Sequence, residues 1–251
     1  MKNKVVLHLP HASTELPKEF FNNQFLISKE ELNQFNVDIT DLYTDELFNA
    51  NQYTNIKAKY SRIFCDVERL KKDFKEPMSK VGMGMIYSKD LEGITFIKTD
   101  KKYRKEVFKN YYKPYHEELT KIVKNELKEN TVILLDCHSF SRKTIQSFAE
   151  VDYIPDVCIG VNDATKHNYK LITSVLYYFN ELGYDVMINY PYSGSIVPNK
   201  IKKRTRNFYS IMIEINKDLY LNTNNEKSEK FDKVKSDIKL LLKIIENFTF
   251  N

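Results

Sequence analysis

Three apolar runs end on residues able to bind a metal or move a proton: Val5-Val6-Leu7-His8-Leu9-Pro10-His11, Val132-Ile133-Leu134-Leu135-Asp136-Cys137-His138 and Ile211-Met212-Ile213-Glu214. Runs of this length and composition read as strands buried on both faces. In parallel sheets, ligands and catalysis gather at the carboxyl ends of strands, because the strand fixes the backbone while the following loop opens a crevice. Two imidazoles delivered in this way suggest a metal-dependent hydrolase.

A hydrolytic zinc site needs about three protein ligands and an open position where a bound water is acidified and a carbonyl polarised. His11 and His138 supply two nitrogens, and the third ligand is open between Glu15, Asp41 and Asp45. Glu214 closes an apolar strand, where a carboxylate is costly to desolvate unless it is paired or used. It reads either as a general base that passes a proton to the leaving amine or as half of an ion pair. Arg62 and Arg69 flank Asp66 and Glu68, and their planar forks suit a substrate carboxylate; internal pairing with either acid is the competing reading for one of them. Ser193-Gly194-Ser195 is a small-residue turn that allows close backbone approach to a ligand. His8 reads as packing against the sheet and His167 as a surface helix residue. Gly82-Met83-Gly84 is too short for a nucleotide fingerprint, and no P-loop, GxSxG elbow or HExxH occurs.

The elements that must hold these residues alternate. Strand-like runs cover residues 4–9, 56–60, 63–67, 131–137, 156–161, 184–189 and 209–215. Ser28 followed by Glu31 is a capping box opening a helix, and Thr40 precedes a second helix through about Asn51, which would put Asp41 and Asp45 on one helical face. Residues 80–95, with Gly82, Gly84 and Gly93, read as an irregular excursion. Residues 101–129 form a long amphipathic stretch that Pro114 should kink or divide, and helices are expected at 166–181 and 229–247. This alternation favours a wound α/β sheet in one domain spanning residues 1–251.

Composition narrows the function. Hydrophobic residues make up 42% and charged residues 29% of the 251, which is globular, and the net charge of +5 is spread over helical lysines, which argues against a nucleic-acid footprint. Cys65, Cys137 and Cys158 lie in apolar runs without CxxC spacing and read as buried thiols of a reducing compartment. No signal-like segment precedes the first strand and no apolar run approaches about 18 residues, so a soluble cytoplasmic protein without a membrane partner is expected.

Across nearly its whole length the chain resembles the N-formylglutamate amidohydrolase family. The resemblance is carried by Leu9-Pro10-His11-Ala12-Ser13, Thr40-Asp41 with Leu47-Phe48, Ser61-Arg62 with Asp66 and Arg69, and Lys113-Pro114-Tyr115-His116. It continues through Asp136-Cys137-His138-Ser139, Pro155-Asp156 with Gly160, Gly194, and Glu214 with Tyr220. It implies a three-layer α/β/α fold with a mostly parallel, mixed central sheet, akin to zinc carboxypeptidases, and hydrolysis of the amide of a small N-acyl amino acid. It further implies His11, Asp41 and His138 as metal ligands, Glu214 and His116 as candidates for proton transfer, and Arg62, Arg69, Ser193 and Gly194 on the substrate. Val67-Glu68-Arg69 and Ser193-Gly194-Ser195 stand where the family's histidine-degradation enzymes tend to carry Leu-Asn-Arg and Lys-Gly-Gly runs. The departures fall in segments expected to hold substrate. A carboxypeptidase-like peptidase or cell-wall amidase, or a binding module without turnover, are the competing readings, and nitrogen and oxygen ligands suit other divalent transition metals besides zinc.

Overall fold

The strand-like runs assemble into a six-stranded sheet with helices around it in the computed structural model, which describes residues 3–148, 150–151, 153–162, 169–201, 205 and 207–250. In chain order the strands are β1 (Lys4–Leu9), β2 (Gln24–Phe25), β3 (Thr54–Lys57), β4 (Ile97–Lys98), β5 (Val132–Phe140), β6 (Val157–Gly160), β7 (Val186–Ile188) and β8 (Phe208–Asn216). The helices are α1 (Lys29–Ile39), α2 (Thr44–Leu47), α3 (Lys101–Val107), α4 (Lys113–Glu126), α5 (Arg142–Gln146), α6 (Tyr169–Glu181) and α7 (Phe231–Asn247). His167 and the expected start of the helix at 166 lie outside the described residues.

The chain divides into two compact units. The first comprises residues 1–9, 43–56 and 119–251 and holds the large sheet, in the order β3-β1-β5-β8-β6-β7. β1 runs parallel to β5 and β5 parallel to β8, whereas β6 is antiparallel to β8 and parallel to β7, so the sheet is mostly parallel but mixed. All of β5 is buried, as a strand covered on both faces must be. Leu134, Leu135, Ile211 and Ile213 are fully enclosed. In α7, Val234, Ile238, Leu241, Leu242 and Ile245 recur at helical spacing and form the buried stripe that packs on β1, while α6 packs on β6 and β7 and α2 on β5. This is a three-layer α/β arrangement.

The second unit comprises residues 10–42 and 57–118 and is poor in regular structure. It has its own core of Phe20, Phe35, Phe64, Tyr87, Phe96 and their neighbours, with edge-on ring pairs such as Phe20 with Phe64 and Phe35 with Phe96. The expected capping box opens α1: Ser28 Oγ accepts from the Glu31 amide and the Ser28 amide donates to the Glu31 carboxylate.

Three local expectations are corrected. Thr40 closes α1 instead of opening a helix, because its amide donates to Val37 O and its hydroxyl to Asn36 O. Tyr43 then takes φ 60° before the short α2, so Asp41 sits in the connecting turn and shares no helical face with Asp45. Residues 63–67 are not a strand: the Phe64 and Cys65 amides turn back to Ser61 O and the Asp66 amide pairs with Met85 O. The stretch 101–129 is divided just before Pro114, which is the second residue of α4. A π-helical segment, Phe108–Tyr112, joins α3 to α4 just before it, where a shifted hydrogen-bond ladder accommodates a residue that lacks a backbone donor. The three cysteines are free and buried, and no helix among the described residues is long and apolar enough to cross a membrane.

Candidate active site

Strand register sets the contribution of the first unit. His8 on β1 pairs with Asp136 on β5, and His138 on β5 pairs with Glu214 on β8. Side chains in register lie on one face and residues two apart on a strand share it, so His8, Asp136, His138 and Glu214 all project from the same face. The carboxylate of Asp136 ties them together: Oδ1 accepts from His8 Nδ1 at 2.6 Å and from His138 Nε2 at 3.1 Å, and Oδ2 accepts from the Ile196 amide at 2.9 Å. Burial pushes the Asp136 carboxyl up, yet the two imidazoles hold it far below the usual carboxylate range. Glu214 is 7% exposed and is flanked in register by Cys158 on β6. Burial drives the Cys158 thiol up to about 11, with the Glu214 charge adding to it, so this cysteine is inert as a nucleophile.

The turn after β7 is anchored beside these strands. Ser195 Oγ lies 2.5 Å from Ser210 Oγ, Ser210 Oγ donates to Ile196 O at 2.6 Å, and Asn162 Nδ2 donates to Ser195 O at 2.7 Å. Ser193 is exposed, and Gly194 is half-buried at φ 90°, a conformation that favours glycine. Gly160 lacks a Cβ for a reason that the geometry supplies: one there would run into the carbonyl of Gly194 and the side chain of Met212. Gly160→Ala is therefore expected to cost about 1–3 kcal/mol through overpacking, read as a lowered denaturant midpoint.

The second unit arranges its polar residues around Asp66, which is fully buried. Its Oδ1 accepts from His11 Nε2 at 2.9 Å and from the Glu68 amide at 3.0 Å. Its Oδ2 accepts from Arg62 Nη2 at 3.0 Å, from Arg62 Nε at 3.2 Å and from the Tyr87 hydroxyl at 2.7 Å, with Arg69 Nε at 3.6 Å. Burial raises the Asp66 pKa, but His11, Arg62 and Arg69 outweigh it and the carboxyl stays well below its ordinary value. Burial and Arg62 lower the His11 pKa, and Asp66 with Asp41 more than reverse them, so the net direction is up. The backbone joins His11 to Asp41, whose amide donates to His11 O at 3.0 Å, and Asp41 Oδ2 lies 3.8 Å from His11 Nδ1. Glu68 Oε2 is 3.7 Å from the same nitrogen.

Of the three carboxylates open as a third ligand, Asp41 is the buried one whose oxygen faces the His11 ring. Glu15 is exposed, and Asp45 lies in α2 of the first unit, where its carboxylate accepts from the Glu46 amide. Arg62 is 13% exposed and engaged with Asp66, while Arg69 keeps 26% exposure. His116 is half-buried on α4 against the ring of Tyr112, whose hydroxyl donates to Arg69 O at 2.8 Å.

The donor chemistry fits a divalent metal. Each candidate histidine has one nitrogen engaged by a buried carboxylate, His11 Nε2 by Asp66 and His138 Nε2 by Asp136. An ionised carboxylate fixes a proton on the nitrogen that faces it, the orientation that buried carboxylates commonly impose on metal-ligating histidines, and His11 Nδ1 faces the carboxylates of Asp41 and Glu68. In the first unit the ligand atoms of His8, Asp136 and His138 lie within 4.8 Å of one another. Sequence reasoning passed over His8, Asp66, Tyr87 and Asp136 as site residues. The two-residue spacing of Asp136 and His138 was a readable signal for one shared face, whereas the register that brings His8 to Asp136 is not written in either strand alone.

The fold is α/β with a mostly parallel, mixed sheet that carries carboxylate-bonded imidazoles along one face. The sequence matches the family described as N-formylglutamate amidohydrolase over residues 3–221, through both units, and the chain belongs to that family. It is an amidohydrolase by this membership. In structure the chain is similar to N-formylglutamate amidohydrolase from Ralstonia eutropha JMP134, with a TM-score of 0.80 and 24% identity over 98% of this chain and 94% of that one. It is also similar to the gene product Atu2144 from Agrobacterium tumefaciens, with a TM-score of 0.67 and 18% identity over 98% and 91%. At these identities the likeness is one of fold. No curated protein matches the chain.

Proposed function

We propose that the chain is a metal-dependent amidohydrolase that cleaves the amide of a small N-acyl amino acid such as N-formylglutamate, with both units acting as one catalytic domain. The observation that carries this reading is the pairing of each candidate histidine with its own buried carboxylate, His11 with Asp66 and His138 with Asp136, an expensive arrangement unless the opposite ring nitrogens are put to use. His11, Asp41 and His138 would hold a zinc ion or a similar divalent cation. When bound, such an ion polarises the scissile carbonyl and acidifies water.

The chain's own groups do the rest. Asp66 and Asp136 hold the two imidazoles in the ligating tautomer. Glu214, on the same strand face as His138, takes the proton released when water attacks and returns it to the leaving amine. His116 is the second candidate for that proton. Arg69, the more exposed guanidinium, receives the substrate carboxylate, with Arg62 fixed behind it by Asp66, and the Ser193-Gly194 turn supplies backbone groups to the substrate.

Metal analysis of the purified protein, followed by assays on formyl, acetyl and longer acyl amino acids and on peptides, separates this reading from a peptidase and from a module without turnover. A charge-assisted hydrogen bond to the carboxylate is worth about 1.5–3 kcal/mol. Arg69→Met should therefore reduce the preference for a free acid over its amide by roughly tenfold or more. An unchanged acid-to-amide ratio in a folded variant would return Arg69 to a structural role.

A further inference from the structure

Ser210 is a buried hydroxyl in an apolar strand, and the reaction proposed above gives it no task. It lies on β8, the strand of Glu214, and pairs in register with Leu134, so it shares the sheet face of Asp136, His138 and Glu214. A hydroxyl at 0% exposure is costly unless it is hydrogen-bonded. Among the described residues both of its hydrogen bonds go to the turn after β7: Oγ donates to Ile196 O at 2.6 Å and accepts from Ser195 Oγ at 2.5 Å.

That turn reaches Asp136. The Ile196 amide donates to Oδ2 at 2.9 Å, the one hydrogen bond this oxygen receives among the described residues, while Oδ1 takes both His8 and His138. The last torsion of an aspartate is soft, so a carboxylate held at one oxygen alone can swing its plane and disturb the bonds to both rings. The amide on Oδ2 removes that freedom. Other groups fasten the turn from outside: Asn162 Nδ2 donates to Ser195 O at 2.7 Å, and the Gly194 amide donates to Asn189 Oδ1 at 3.3 Å. Those bonds stop at Ser195, whereas Ser210 grips Ile196, the residue whose amide is used.

We infer that Ser210 is a positioning residue: by holding Ile196 it fixes the Asp136 carboxylate, and through that carboxylate the aim of the His138 ring. The inference rests on the metal-dependent reading for the use to which His138 is put, whereas the chain of bonds from Ser210 to His138 lies wholly within the first unit. Its consequence is that the turn proposed to meet the substrate and the histidine proposed to hold the metal are set by one buried hydroxyl.

Two measurements on Ser210→Ala test this, with Val123→Ala, a buried residue of α4 outside this chain of bonds, as the control for lost stability. Zinc affinity, read by competition with a chelator, should fall about tenfold in Ser210→Ala, the lower end of the range for groups that orient a ligating histidine, and stay at the wild-type value in Val123→Ala. In NMR spectra of the metal-free, histidine-labelled protein, the ring N–H protons of His8 and His138 that face Asp136 should exchange with solvent faster in Ser210→Ala and not in Val123→Ala. Wild-type behaviour of Ser210→Ala in either measurement, or an equal loss in Val123→Ala, overturns the inference. Ser210→Cys, which keeps a side chain of similar shape with a weaker donor, stands in under the same criteria should the alanine variant fail to fold. If the wild type binds no zinc, the metal-dependent reading fails, and the ring-proton exchange alone decides the role of Ser210.

Discussion

Glu214→Gln is expected to keep its fold and its metal and to lose turnover by about 10²–10⁴-fold, the usual contribution of a positioned proton-transfer group. The substitution preserves the volume of a residue that is 7% exposed within β8 and flanked in register by His138 and Cys158, so packing is nearly unchanged. Only the ability to accept a proton disappears. His138→Ala should behave differently, because it removes a proposed ligand: metal content should fall along with activity. Turnover and metal stoichiometry measured on the same preparations distinguish the two. Near-normal turnover in Glu214→Gln would make this glutamate structural and move proton transfer to His116, which lies against Tyr112 on α4.

Strands and helices of the first unit were legible because burial on both faces leaves a plain mark, an unbroken apolar run such as residues 132–135, and because α7 repeats its apolar residues at helical spacing. The strand-end residues of the candidate site followed from the same mark. The second unit was legible only in part. Its core is aromatic and its backbone turns through side-chain hydrogen bonds, so the apolar run at 63–67 mimicked a strand although Ser61 and Met85 dictate a turn. Thr40 is equally good at either end of a helix until its partners, Asn36 and Val37, are known. The clearest omission was Asp66. Its spacing from Arg62 and Arg69 hinted at pairing, but the same carboxylate also receives His11 from 55 residues away and Tyr87 from 21 residues away, and such convergence depends on tertiary structure.

Asp66→Asn is expected to destabilise the second unit by about 3–5 kcal/mol, because it removes the charge that compensates a buried guanidinium and leaves several donors aimed at a neutral amide. Asn keeps the shape of Asp, so a cavity contributes nothing to this loss. Arg62, with burial working against its charge, is held protonated by Tyr87, Asp66 and Asp41, and Asp66 accepts two hydrogen bonds from it. An amide also turns an NH2 group toward one of the donors, either His11 and the Glu68 amide or Arg62 and Tyr87, so at least one side of the network must break. The denaturant midpoint checks the magnitude. Adding Arg62→Met to Asp66→Asn checks the cause, because neutralising the stranded cation should recover part of the loss, with a coupling of about 0.5–3 kcal/mol between the two sites. If the double variant is as unstable as the sum of the single ones, the cost lies in His11 and Tyr87, and Asp66 serves the imidazole more than the guanidinium. The two outcomes also differ in metal content, since a His11 ring released from its carboxylate loses the fixed tautomer on which the proposed ligation depends.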